Sequence, residues 1–216
     1  IDLELLQGAS LPESASEYLK LLARLGDQRG GLIGEGWRLE TVGVLPYALV
    51  ESTQRLAAIF AQFRSRPNDK VLGVMAMHQA GIMAHYSQDL CQPLHTTVHH
   101  DGRARDDGSS PRSGIHRQVD GLLRAVSVIP IKGRSQAYED LFGAVLGELV
   151  ESHARVDSVY ELTADLDAIE DGKPISRELQ EFGQQRFEQA VRFTANLLHT
   201  AWLLSETIEL PDWATE

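Results

Sequence analysis

The sequence predicts an all-α protein, a multi-helix bundle. Three observations predict it. Apolar residues recur at intervals of three and four through several long segments, which lines up one face of a helix. No segment alternates apolar and polar residues as a half-buried strand does. No internal repeat or low-complexity tract interrupts the pattern. At 216 residues the chain can bury a substantial core, and a single domain over 1–216 is the default.

Residues 1–10 read as an entry segment. Leu11-Pro12-Glu13-Ser14 is a helix start with Pro and Glu in its first turn, Tyr18, Leu19, Leu21, Leu22 and Leu25 are its apolar face, and Gly26 is its stop. Gly30, Gly31, Gly34 and Gly36 mark a loop. They are not a dinucleotide fingerprint, because no strand pattern precedes them. After Pro46, the residues Leu49, Leu56, Ala57, Ile59, Phe60 and Phe63 predict an amphipathic helix to about Arg64. The break Ser65-Arg66-Pro67-Asn68-Asp69 offers Asn68 or Asp69 as the cap of the next helix, over about 69–90. That helix carries Val71, Leu72, Val74, Met75, Met77, Ile82 and Met83, so it reads as a central buried helix with Met residues filling gaps in the core.

Residues 101–113 are polar and predict a flexible, solvated loop, with arginines in reach of a substrate phosphate as the less favoured reading. Gly114 then opens a helix whose apolar side continues through Leu122, Leu123 and Val126. Ser135 is read as the cap of a long helix to about Leu162, with Leu141, Val145, Leu149, Val156 and Val159 inward, and His153 in a surface pair with Glu151 or Asp157. Pro174-Ile175-Ser176 starts the last helix, faced by Leu179, Phe182, Phe187, Val191, Leu197 and Leu198. His199 is placed on its surface and Trp202 closes the core.

The chemistry concentrates between His85 and Asp120. His85 and Asp89 are four residues apart, as are His116 and Asp120, and on a helix such pairs share one face. His95 follows Gln92-Pro93. Proline disfavours helix in the residue before it, so the helix should end here and His95 should point back from a turn. Imidazole and carboxylate ligands without thiolates suit a hydrolytic zinc site. A lone His-x-x-x-Asp pair is usually a surface hydrogen bond, whereas two pairs with an intervening His are a metal-site pattern. His78 is on the stripe of His85 but about 10 Å further along the axis, at about 1.5 Å per residue, so it is read as a core residue or as a partner that orients a ligand without touching the metal. His99 and His100 either extend the site or are solvated.

The run from Gly81 to Asp120 resembles the zinc-dependent phospholipase C and fungal single-strand nuclease superfamily. Its core segment is His-Tyr-x-x-Asp-x-x-x-Pro-x-His, commonly with Gln-Pro-Leu-His, followed by His-x-x-x-Glu or His-x-x-x-Asp. The matching residues are His85, Asp89, Gln92, Pro93, Leu94, His95, His116 and Asp120. Weaker likeness runs from Gly43-Val44-Leu45-Pro46-Tyr47 to Ala201-Trp202 and Leu210-Pro211. The resemblance implies a helical domain of this type with two or three zinc ions held by His85, Asp89, His95, His116 and Asp120, and Asp89 as the bridging, catalytic carboxylate. It implies that metal-activated water attacks a phosphodiester, in a phospholipid or a nucleic acid, and that the protein is secreted or periplasmic. The sequence departs from the pattern at Gln88, where Gly is common, and at His99-His100, where Asn-Tyr-Asp-Gly is frequent. It has no histidine before His78, and family members carry further ligands upstream, so the expectation is that Ile1 is not the native start.

Composition bounds these readings. The 43% hydrophobic and 24% charged residues are ordinary for a globular protein, and the single cysteine, Cys91, excludes an internal disulfide framework. No run of about 18 apolar residues occurs, so no membrane span is predicted. A net charge of −11 disfavours a general nucleic-acid binder more than it disfavours a metal phosphodiesterase, and no stable nucleic-acid complex is expected. Three function classes remain: a zinc phosphodiesterase, leaning toward phospholipase C-like over nuclease; a metal protein that has lost turnover; and a helical interaction module.

Overall fold

The structure, a computed structural model, describes residues 2–6, 8–28, 42–105 and 109–212, apart from the side chains of 26–28 and 170. Ile1 and the glycines Gly30, Gly31, Gly34 and Gly36 lie outside the described residues. A 3-10 turn at Leu3–Leu6 precedes α1 (Ala15–Gln28), α2 (Leu45–Ser65) and α3 (Lys70–Cys91). A second 3-10 turn, Pro93–Thr96, leads to α4 (Ile115–Gly121) and a third at Leu122–Arg124. Then come α5 (Leu141–His153), α6 (Val156–Glu161), α7 (Thr163–Glu170) and α8 (Arg177–Leu204). Among the described residues no strand forms, only an isolated bridge between His100 and Gly102. The protein is all-α, as its periodicity predicts. No helix among the described residues is long and apolar enough to cross a membrane.

Local chemistry sets the helix starts. Asp69 caps α3 by accepting from the N–H groups of Val71 at 2.9 Å and Leu72 at 3.3 Å. Ser176 caps α8 through the N–H of Leu179 at 3.1 Å. Such caps contribute about 1 kcal/mol each. The helix expected from Ser135 starts later and is broken. Asp140 caps α5 through Gly143 N–H at 2.8 Å, and the path to Leu162 is divided between α5 and α6. The segment between the two candidate caps is held against α8, with Gln136 N–H on Asn196 and Tyr138 N–H on Thr200, and the Ser135 hydroxyl meets His199. Likewise α1 runs past Gly26 to Gln28.

The main core joins α2, α3, α5 and α8 through Leu49, Leu56, Met83, Leu90, Val145, Leu149, Phe193 and Leu197. A second cluster lies under the His85–Asp120 region and unites Leu94, Ile115, Val119, Leu122, Val126, Val156, Val159 and Leu179. A third, around Leu6, Tyr18, Leu22 and Tyr47, fastens α1 and the entry turn.

Four expectations about burial are corrected. Only one stripe of α3 is buried, marked by Leu72, Ala76, Met83, Ser87 and Leu90, while Val71, Val74, Met75 and Met77 face outward. Met83 fills the core, but Met75 and Met77 do not. Trp202 is exposed rather than core-closing: the Arg64 guanidinium lies 3.7 Å above its ring and Phe60 meets it edge-on. Leu123 and Val191 are also exposed, and Phe182 and Phe187 only half-buried. All four border a cleft, and Phe182 also packs against the second core cluster.

Candidate metal centre

The turn that carries His95 follows from the residues around it. α3 stops at Cys91, where Gln92 adopts an extended conformation ahead of Pro93. The Gln92 side chain accepts the N–H of Leu94 at 2.5 Å through Oε1 and donates through Nε2 to Asp120 Oδ1 at 3.0 Å. One amide thus caps the turn and reaches the second half of the site. Leu94 is fully buried, so the 3-10 turn is anchored in the core and His95 projects from it, one-third exposed. Behind the turn, His153 Nδ1 donates to the Thr96 carbonyl at 3.0 Å, and Glu4 accepts from Thr97 Oγ1 and from Val98 N–H at 3.2 Å.

The other half is α4. Gly114 precedes it with φ 88°, a left-handed conformation that glycine adopts at no steric cost. Asp101 Oδ1 accepts from the N–H groups of Gly114 at 2.8 Å and His116 at 3.4 Å, which satisfies the open first turn. Ile115 and Val119 are buried in the same cluster as Leu94, so each of His95, His116 and Asp120 directly follows an apolar anchor. His116 Nδ1 lies 3.1 Å from the His100 carbonyl oxygen. A carbonyl only accepts, so Nδ1 carries the proton and Nε2 presents its lone pair.

These elements bring His95, His116 and Asp120 together. The imidazole centres are 4.8 Å apart. Nε2 of His116 is 3.5 Å from one Asp120 oxygen and Nε2 of His95 is 4.0 Å from the other. Among the described residues this is the cluster whose ligand atoms, all within 4.8 Å of one another, could hold a metal ion. A tetrahedral ion with bonds of about 2.0–2.2 Å needs ligand atoms roughly 3.3–3.6 Å apart, so contraction by up to about 1.5 Å closes the set. Burial lowers the His95 pKa against the opposing pull of Asp89 and Asp120, which favours the neutral, ligating imidazole.

His85 and Asp89 form their own pair on the last turns of α3, Nε2 to Oδ2 3.4 Å. They share with His95 and Asp120 a cleft of about 570 Å3. The far wall is apolar, built from Leu123, Phe182, Phe187 and Val191. Gln88 also lines it. Cys91 forms part of the floor, and burial pushes its thiol pKa far up, so it is an inert neutral group there.

The remaining histidines divide. His78 is exposed on the outer face of α3, not in the core, and borders a shallow groove with Met77, Gly81, Ile82 and His85. The His99 ring turns away to accept the N–H of Ala104 at 2.8 Å. His100 is exposed, with its ring 6.4 Å from that of His116, and it serves the site through its carbonyl. His153 is not in a surface pair with Glu151 or Asp157. Glu151 binds Arg186 and Arg155, and Asp157 binds Arg103. The loop expected to be flexible over 101–113 is tied down where it is described. Arg103 pairs with Asp157 at 2.6 Å, and Ser113 N–H donates to the Asp101 carbonyl at 2.9 Å. Residues 106–108 lie outside the described residues.

Sequence reasoning missed Asp101, Tyr160 and Arg186. Arg186 reaches the cleft wall while both of its terminal nitrogens bind Glu151 at 3.0 Å. Asp101-Gly102 carries a turn signal that points to a cap, but nothing local links Tyr160 or Arg186 to the site. No family model, curated protein or solved structure matches the chain.

Proposed function

We propose that the protein is a zinc-dependent phosphoric ester hydrolase of the phospholipase C type. One observation carries the reading: His95, His116 and Asp120 converge beside a cleft, with ligand atoms within 4.8 Å. Two nitrogens and one oxygen leave the fourth tetrahedral position to water or a phosphate oxygen. Zinc in such a site supplies a Lewis acid and water with a pKa of about 7. The chain's own residues do the rest. His116 is held in the ligating tautomer by the His100 carbonyl, and Gln92 orients the Asp120 carboxylate. His85 and Asp89 add a second donor pair facing the same cleft, and by resemblance to the zinc-dependent phospholipase C and nuclease superfamily Asp89 would be the catalytic carboxylate. The apolar wall of Leu123, Phe182, Phe187 and Val191 suits the glycerol and acyl part of a phospholipid. The net charge of −11 works against a polyanionic nucleic acid at long range. By the same resemblance the protein acts outside the cytoplasm.

The test is metal content per chain, after purification without chelator or added metal, followed by hydrolysis of phosphatidylcholine vesicles and of single-stranded DNA. Bound zinc with release of the phosphorylated headgroup is the expected result. Faster cleavage of DNA moves the assignment to a nuclease. Zinc with neither activity makes this a metal protein without turnover. No zinc uptake leaves a helical interaction module.

A further inference from the structure

We propose that Tyr160, on α6, is a positioning residue of the metal centre: its hydroxyl clamps the 99–102 turn whose His100 carbonyl aims His116 at the ion. This inference rests on the metal reading above and adds a residue about 40 positions beyond its last ligand. Tyr160 Oη donates to the His99 carbonyl at 2.5 Å and accepts the Gly102 N–H at 3.0 Å. One oxygen therefore ties both ends of a four-residue turn. The two residues between those ends make the contacts to α4. The His100 carbonyl takes the proton of His116 Nδ1, and the Asp101 carboxylate accepts from Gly114 and His116 N–H. The turn needs glycine at its end: Gly102 has φ 111°, and a Cβ there would lie 2.4 Å from Pro111 Cγ.

The tyrosine is itself fixed. The Arg103 guanidinium lies 4.0 Å above its ring and pairs with Asp157 on the same helix. Val156 and Val159 of α6 are buried in the cluster that holds Ile115 and Val119 of α4. α6 and α4 thus sit on a common apolar floor, and the Tyr160 hydroxyl converts that packing into the orientation of a ligand. Partners that fix the second nitrogen of a ligating histidine typically contribute about 10- to 100-fold to metal affinity.

The experiment uses the whole chain. Cobalt(II) binding is followed by visible absorption and zinc binding by chelator competition, for the wild type, Tyr160→Phe, Asp101→Asn and Asp101→Ala, with the melting temperature of each metal-free protein. Tyr160→Phe keeps the ring and its packing. The expected result is metal binding weaker by about 10- to 100-fold, with a changed cobalt spectrum and a metal-free melting temperature close to wild type. Asp101→Asn, which keeps an acceptor oxygen, stays near wild type, while Asp101→Ala falls with Tyr160→Phe. Wild-type affinity and spectrum in Tyr160→Phe overturn the inference alone, as does a drop in melting temperature with unchanged affinity. If Tyr160→Phe does not fold, equal affinity of the two Asp101 variants overturns it. A wild type that binds neither metal overturns the metal reading and this inference together.

Discussion

Each ligand is held by a neighbour of different chemistry. His95 depends on the buried Leu94 beside it, His116 on the His100 carbonyl, and Asp120 on the Gln92 amide. Replacing His95 or His116 with Ala should remove zinc from this centre while leaving the helical circular dichroism intact, because both side chains are partly exposed and neither belongs to a core cluster. Zinc retained at wild-type stoichiometry in both variants refutes the assignment. A second residue-scale prediction concerns Glu148, buried beneath the cleft floor and bonded by Gln189 and Ser152. Burial raises its pKa above the usual 4.5. Between 4.5 and that higher folded value the native state binds more protons than the unfolded chain, so stability falls as pH rises through the window. Glu148→Gln removes the titration. Its melting temperature relative to wild type should therefore climb between pH 4.5 and pH 8, and a constant difference across that range counts against the buried carboxylate.

At the scale of elements, the site is a meeting of short pieces on a shared floor. α4 and the Pro93–Thr96 turn are too brief to be stable alone, since isolated helices under about 12 residues are marginal in water. Their order comes from Leu94, Ile115, Val119 and Leu122 packing against α6, α7 and α8. Gly183 on α8 permits a close approach to this floor. A Cβ there would come within 2.5 Å of Val126 Cγ2 and 3.4 Å of Leu122 Cδ2. Gly183→Ala should then destabilise the fold by about 1–3 kcal/mol through overpacking, although alanine favours a helix. Urea unfolding measures it, and a more stable variant shows that the floor has slack. The starts of α3 and α8 were legible at this scale, because Asp69 and Ser176 sit directly before apolar periodicity. The start of α5 was not. Ser135 and Asp140 are both competent caps, and the choice between them depends on tertiary contacts of the intervening segment, such as Gln136 N–H to Asn196 and Tyr138 N–H to Thr200.

For the whole molecule, metal binding at the candidate centre would be linked to stability. A ligand that binds only the native state at 100 times its dissociation constant adds about 2.7 kcal/mol, which for a chain of this size raises the melting temperature by about 5–10 °C. Zinc should produce a shift of that order, EDTA should reverse it, and the His116→Ala variant should not show it. An unchanged melting temperature with zinc in excess argues against a metal centre built on the native fold. The wider surface carries an apolar stripe of Val71, Val74, Met75 and Met77, which the composition of α3 had suggested was core.

The sequence by itself determined the helical class, through a period of three and four that no strand can use. It also determined the pairing of His85 with Asp89 and His116 with Asp120, because i,i+4 geometry is a property of the helix alone, and the turn at His95, because proline ends α3 locally. Only the tertiary structure decided which side of α3 is buried, that Trp202 faces outward under Arg64, and that Phe182 and Phe187 border a cleft. It alone brought Tyr160 and Asp101 to the seat of His116. Burial and long-range hydrogen bonds depend on which surfaces meet. Residues with the same local periodicity are compatible with either side of a helix until the rest of the chain has packed against one of them.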